Sequence, residues 1–404
     1  MRYDTVIIGG GLSALMCGIE LARNGKRAAL VAAGQSTMNF SSASFGLYNA
    51  PEPLKAIAQL PQSHPYAKVG VEQVEALAGV ATEIFNIAGI STVGSTERNH
   101  KVITPVGQMR ECWLSIDGVV SAQDDKLDFN SAALFVPEGF LDIYTSFITS
   151  ALQQMGVMTS LCHFSLPELV VRRNNPTEMR SVSVARALDK EENLRALASI
   201  IVREAGDAEV VLLPATLGFA QNDVRERLER MTDRRVLMIP TLPPSVEGVK
   251  AERALRRAFE KMGGAIFAGH TATSYQTDEN GEIVSVTTSK DVTLMAENFV
   301  LATGSFIGRG LEADRQGVCE PLFGSDIIGA TSPLTDIDIY SPQPFMGCGV
   351  DVDEQFHILK QGKSVDNLYA CGSILGGYNP VKEGCGAGVA IITALSVAQT
   401  IINR

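Results

Sequence analysis

The sequence predicts an α/β protein, a Rossmann-like nucleotide-binding domain interrupted by an inserted α+β domain. Three observations lead there. A β-branched run, Thr5-Val6-Ile7-Ile8, gives way at once to Gly9-Gly10-Gly11. Apolar residues then recur at Leu12, Leu15, Met16 and Ile19, the spacing of one helix face, before Asn24-Gly25 stops the helix and Arg27 to Val31 reads as a second strand. Far along the chain, strands over Asn298–Leu301 and Asn367–Ala370 each run into small residues, and a small-residue helix follows from about Gly386 to Ile402.

Between these ends the pattern is mixed. A loop leads to a helix over Val71–Ile90. Further helices are expected at Leu141–Met155, Asn193–Glu204 and Asn222–Arg230, with strands at Val210–Leu213 and Val236–Ile239. The run Pro240-Thr241-Leu242-Pro243-Pro244 marks a boundary or a rigid crossover. A helix over Ala251–Met262 follows. Strands at Ala265–Ala268, Thr271–Gln276 and Ile283–Ser289 come next, with a turn at Glu279-Asn280-Gly281. Residues 305–363 are rich in proline and glycine. The nucleotide domain is thus expected at 1–50, 245–308 and 364–404. Residues 51–244 and 309–363 form the insert, a cap that carries substrate or docks a partner subunit.

Composition narrows the function. The chain has 404 residues, 45% apolar and 20% charged, and a formal charge of −11. Two domains are the natural expectation for that length, and the acidic balance argues against nucleic acid as a partner. No stretch approaches the ~18 apolar residues of a membrane helix, and the N-terminus lacks a cleavage-site pattern, so a cytoplasmic location is expected. Cysteines 17, 112, 162, 319, 348, 371 and 385 form no C-x-x-C pair and read as thiols rather than disulfides or iron–sulfur ligands. The five histidines show no ligand spacing, so no metal site is expected.

Gly9, Gly11 and Ala14 fit the G-x-G-x-x-G/A fingerprint. The first glycine permits the tight turn, the second lets the backbone approach a pyrophosphate, and a small third residue lets helix and strand pack closely. The N–H groups and positive dipole end of the helix then face the phosphates. Gly9, Gly10, Gly11, Leu12, Ser13 and Ala14 are therefore candidate cofactor residues. One part is missing: the second strand ends in Val31-Ala32-Ala33-Gly34, with no acid to hold an adenosine ribose. Either a dinucleotide binds without that contact, or the nucleotide has no adenosine.

The strand Asn298–Leu301 ending in Ala302-Thr303-Gly304 resembles the return strand of two-dinucleotide-binding flavoproteins. Asn367 to Ser373 resembles their last flavin segment, with Ser373 where an acid usually holds the ribityl chain. Gly384-Cys385-Gly386-Ala387-Gly388 then opens a helix whose N-terminus would face the flavin N1/O2 edge and favour its reduced form. Thr303, Gly304, Gly372, Ser373 and residues 384–388 join the cofactor set. Ser41, Ser42 and Ser44 follow the second strand and could reach the flavin phosphate or ring.

Several longer stretches carry a more specific resemblance: Tyr3 to Leu12, Phe40 to Ser44, His64-Pro65-Tyr66, Ile103 to Gly107, Leu166 to Leu169, Arg173 to Glu178, Pro240 to Val246, Gly372 to Gly377 and Gly384 to Gly386. On these the chain resembles the B-subunit family of anaerobic glycerol-3-phosphate dehydrogenases over essentially its whole length. The resemblance implies oxidation of sn-glycerol 3-phosphate to dihydroxyacetone phosphate, with electrons passed towards quinone. It implies a complex with a flavin-bearing A subunit and an iron–sulfur C subunit, held at the inner face of the cell membrane through that complex. It also implies FMN. The glycine turn, built for a pyrophosphate, keeps FAD as the alternative.

Hydride removal from an alcohol needs a base for the hydroxyl proton, and a phosphorylated substrate wants an arginine clamp. Arg172, Arg173 and Arg180 are clamp candidates, or else a solvated or docking loop. His64, His100, His163, His270 and His357 are base candidates, none in a diagnostic context, so the catalytic residue stays unassigned. Cys371 and Cys385 flank the flavin segments but read as small buried residues, and Trp113 reads as core. Two other functions stay open: an electron-relay or scaffold subunit whose partner performs the chemistry, and a stand-alone NAD(P)H-dependent flavin reductase. The last needs a second glycine-rich turn, which residues 135–300 do not offer.

Overall fold

The structure is a computed structural model that describes residues 1–175, 178–315, 317–330 and 333–404, with Arg172 and Arg173 described in backbone alone. The chain forms β1 (Thr5–Ile8), α1 (Leu12–Arg23), β2 (Ala28–Ala32) and, after loops and short helices, α2 (Val71–Ile87). Next come β3 (Ser131–Pro137), α3 (Thr145–Gln154), β4 (Met158–Phe164), α4 (Glu191–Glu204), β5 (Val210–Pro214), α5 (Val224–Thr232) and β6 (Arg235–Ile239). Helix α6 (Val246–Lys261) leads to β7 (Ala265–Ala268), β8 (Ala272–Thr277), β9 (Ile283–Thr288), β10 (Thr293–Met295) and β11 (Asn298–Leu301). The last elements are β12 (His357–Lys360), β13 (Lys363–Ala370) and α7 (Gly386–Ile402). Two compact units result, one of residues 1–37, 45–98 and 252–404, the other of 38–44 and 99–251.

The first unit is built on a six-stranded sheet in the order β7-β2-β1-β11-β13-β12. Its first five strands are parallel, and β12 closes the edge antiparallel to β13. Strands β1 and β2 are buried along their whole length, which explains why they read as unbroken apolar runs rather than alternating ones. Helices α1 and α7 pack along each other. Strands β8, β9 and β10 form a separate antiparallel sheet.

The second unit holds a four-stranded, all-parallel sheet in the order β4-β3-β5-β6, and a small antiparallel sheet of His100–Ile103, Met109–Cys112 and Ser121–Ala122. Leu134, Phe135, Val211, Leu212 and Val236 are fully buried in its core. The helices expected from Asn193 and Asn222 start two residues away, at Glu191 and Val224, and two other starts shift further. The helix expected from Leu141 starts at Thr145, because Asp142 is held by Ser181, whose N–H and Oγ–H both donate to its carboxylate at 2.7 Å. The helix expected from Ala251 starts at Val246, because the Ser245 hydroxyl accepts the Gly248 N–H at 3.2 Å and caps it. Among the described residues, no helix is long and apolar enough to cross a membrane.

Candidate functional site

In the first unit, the glycine turn sits where β1 ends between β2 and β11. Gly9 N–H donates to Val31 O at 2.9 Å, and its φ of +144° puts it where L side chains are strained. A Cβ there would lie 2.7 Å from the Ala302 carbonyl carbon. Gly11 differs: it caps α1 at an ordinary φ of −87°, and an added Cβ would find nothing nearer than Ser36 Oγ at 3.8 Å. Helix α1 has no side-chain cap and no acid in its first turn, so no side chain of its own start offsets its positive dipole end. Ala14 is fully buried.

The later segments converge on the same edge. Ala302 N–H donates to Ile8 O at 2.8 Å, and Cys371 N–H to Leu301 O at 3.0 Å. Ser373 Oγ lies 3.6 Å from where a Cβ on Gly304 would be, and a Cβ on Gly372 would lie 2.8 Å from Ser13 Cβ. Gly372 N–H donates to Thr393 Oγ1 on α7 at 2.9 Å. Gly9 to Ala14, Thr303, Gly304, Gly372 and Ser373 are thus brought together from four elements. Thr303 Oγ1 is buried without a hydrogen-bond partner among the described residues. An uncapped helix N-terminus, room over Gly11 and an unused hydroxyl are the donor set that the phosphate and ribityl parts of a flavin require.

Helix α7 begins at the N-cap Cys385, again with no side-chain cap and no acid in its first turn. Gly388 packs against Leu47, whose Cα lies 2.9 Å from the position of an added Cβ, and Tyr66 Oη, crowding the same point, donates to Leu47 O at 2.8 Å. Just before the helix, Glu383 gathers three donors. Its Oε1 accepts Asn379 N–H at 2.9 Å, and its Oε2 lies 2.9 Å from His64 Nε2 and 3.6 Å from Cys385 Sγ. His64 Nδ1 accepts Tyr66 N–H at 3.0 Å, which places the imidazole proton on Nε2, pointing at Glu383. Ligand atoms of His64, Glu383 and Cys385 lie within 4.8 Å of one another, but the Nε2 and Sγ protons fill that space, so no lone pair of His64 is turned to an ion. The adjacent Tyr378 hydroxyl is buried and has no partner among the described residues. Nothing in the sequence spacing signals this cluster, since His64 and Glu383 are 319 residues apart.

The remaining candidates lie elsewhere. Ser41, Ser42 and Ser44 belong to the second unit. There Ser41 Oγ accepts Ala43 N–H at 3.1 Å, and Ser44 Oγ is buried without a partner among the described residues. The side chains of Arg172 and Arg173 lie outside the described residues. Arg180, 43% exposed, has its Nε 2.6 Å from Asp142 Oδ1 and donates to Pro243 O at 3.0 Å, so its charge already has a counter-ion. His100 lies 2.8 Å from Ser115 Oγ, and burial lowers its pKa. His270 contacts Thr288 Oγ1, and His357 Nδ1 contacts Asp353 Oδ2 at 2.9 Å. His163 is exposed on β4. Cys371 is fully buried and pushed up to about 12 by that burial, so neither it nor Cys385, raised for the same reason, is a thiolate. Trp113 is buried.

The sequence matches the FAD binding domain family over residues 4–389, which supports a flavin cofactor. It is 37% identical over 417 residues to the anaerobic glycerol-3-phosphate dehydrogenase B subunit of Pectobacterium atrosepticum, covering 100% of this chain and 99% of that protein. Against the B subunit of Yersinia enterocolitica it is 38% identical over 420 residues, with the same coverage. Among solved structures, a 3-ketosteroid-Δ4-(5α)-dehydrogenase from Rhodococcus jostii RHA1 aligns with a TM-score of 0.42 at 11% identity, covering 100% of this chain and 97% of that one. With an FAD-binding fold and relatives matched from end to end, the chain belongs to the family of anaerobic glycerol-3-phosphate dehydrogenase B subunits, flavoprotein components of a multi-subunit dehydrogenase.

Proposed function

We propose that this chain is the flavoprotein subunit of a respiratory dehydrogenase that oxidises sn-glycerol 3-phosphate to dihydroxyacetone phosphate and passes the electrons towards quinone. Its partners are a flavin-bearing A subunit and an iron–sulfur C subunit, through which it sits at the cytoplasmic face of the membrane. The observation that carries the reading is the junction of Gly9–Ala14 with Thr303, Gly304, Gly372 and Ser373 at one sheet edge. A bound flavin supplies the hydride acceptor. The chain's own part is to hold it: the N–H groups of α1 take the phosphate, Thr303 and Ser373 offer hydroxyls, and residues 384–388 present the start of α7 to its pyrimidine edge. The inserted region (51–244 and 309–363) carries substrate or docks a partner, with Arg172, Arg173 and Arg180 as its cationic candidates; outside it, Ser41, Ser42 and Ser44 are kept as candidate cofactor residues.

FMN is the cofactor in this reading, consistent with the absence of an acid after Val31. FAD is the second reading, favoured by the room over Gly11, which suits a pyrophosphate. Acid release and mass spectrometry of the bound flavin decide between them. A non-catalytic relay subunit is favoured by one observation, that both ring nitrogens of His64 are engaged and unavailable to a substrate proton. Holo-protein mixed anaerobically with glycerol 3-phosphate separates the two roles. Bleaching without the A subunit supports catalysis here; bleaching that needs the A subunit establishes the relay.

A further inference from the structure

We propose that Glu383 is a positioning residue that sets the reduction potential of the bound flavin, by placing a net negative charge beside the positive end of α7. The inference rests on the reading that residues 384–388 face the flavin. Two observations carry it. Every donor to the Glu383 carboxylate is neutral: a backbone N–H from Asn379, the Cys385 thiol, and the His64 imidazole, whose Nδ1 is an acceptor and whose single proton is on Nε2. With Nδ1 occupied as an acceptor and its one proton directed at Glu383, His64 brings no positive charge, and the cluster keeps the carboxylate's charge of −1. Second, Tyr378 ends in a buried hydroxyl with no partner among the described residues, beside the Cys385 thiol and the Glu383 carboxylate, a polar group left for a ligand at the head of a 17-residue helix.

The sign follows from the charges. A helix N-terminus offers roughly +0.5 of a charge, which alone favours electron uptake nearby. A carboxylate two residues before the N-cap more than offsets it. The pair leaves the site mildly electronegative, which favours the oxidised flavin and makes the reduced form a better electron donor. Charge removal at Glu383 reverses this without touching the hydride path.

The test uses the holo-protein equilibrated with a reference redox dye under anaerobic conditions. Glu383→Gln is expected to raise the ratio of reduced to oxidised flavin at fixed potential about tenfold, about 30 mV for a two-electron couple. Glu383→Asp, which keeps the charge, is expected to leave the ratio close to that of the wild type. An unchanged ratio in Glu383→Gln, with a visible flavin spectrum that Tyr378→Phe does shift, overturns the proposal and leaves the flavin placement standing. If neither variant moves ratio or spectrum, both fall. Should Glu383→Gln fail to load flavin, Lys382→Glu at the exposed neighbouring position adds negative charge instead. A lowered ratio there supports the proposal, and an unaltered one overturns it.

Discussion

Replacing Gly11 by alanine separates what the turn does for the fold from what it does for a ligand. The residue holds an ordinary φ of −87°, and the nearest heavy atom to the new methyl is Ser36 Oγ at 3.8 Å, plain van der Waals contact. The cost to folding is confined to the weaker capping preference of alanine, about 1 kcal/mol or less. The methyl, however, stands over the start of α1, where the proposed function places the N–H donors to a flavin phosphate. Losing one charge-assisted hydrogen bond costs about 1.5–3 kcal/mol, which weakens flavin binding about 10- to 150-fold. Gly9→Ala provides the contrast. Its φ of +144° and a Cβ 2.7 Å from the Ala302 carbonyl carbon combine backbone strain of about 1–3 kcal/mol with overpacking of similar size. Flavin affinity from fluorescence quenching, measured beside urea unfolding, reads both variants. Gly11→Ala should lose flavin with only a small drop in its urea midpoint, whereas Gly9→Ala should lose flavin with a large one. Wild-type flavin affinity in Gly11→Ala would refute the assignment of the turn to a phosphate.

Two further outcomes concern ionisation and burial. Burial alone would raise the Asp353 carboxyl, but hydrogen bonds from Ser364 Oγ, the backbone N–H of His357 and Gln355, and His357 Nδ1 hold it below its ordinary value. A depressed native pKa adds stability that is present above the unfolded value of about 3.9 and is lost as pH falls through the native one. The urea midpoint of the wild type should therefore drop more steeply below about pH 4 than that of Asp353→Asn, and parallel profiles would count against the pairing. Among the cysteines, Cys319 is exposed whereas Cys17, Cys371 and Cys385 are buried. A thiol reagent applied to the native protein should mark Cys319 first and reach the other three only on unfolding. Peptide mapping that finds Cys371 labelled at the Cys319 rate would rule out its packing.

The parts of the fold legible in the sequence were those with a local signature. Thr5–Ile8 ran into glycines and then into a 3.6-residue period, and the structure has β1, the turn and α1 at those positions. Strand β3 gave no such signal. Ser131–Pro137 is a short apolar run, buried in the middle of a parallel sheet, and such runs lack the alternation that separates strand from helix. Strand β4, Met158–Phe164, is mostly exposed at the sheet edge and reads as polar loop. The start of α3 was misplaced because Asp142 obeys partners 39 residues away at Ser181. The Glu383 cluster stayed invisible for the same reason on a larger scale, since only the folded sheet brings residue 64 to residue 383.

The dependence of Gly9 on Ala302 and of Ser13 on Gly372 also imposes a schedule. Strand β1 leaves the ribosome well before its partner β11, which is made roughly 290 residues later, about 15–60 s at ordinary rates of translation. Residues 99–251, by contrast, are contiguous and can fold while the ribosome is still translating the C-terminal third of the chain. The nascent turn must therefore wait, its sheet edge unpaired, until β11, β13 and α7 are released. On the proposed reading flavin loading follows translation, and truncation before α7 should abolish it however intact the glycine turn remains.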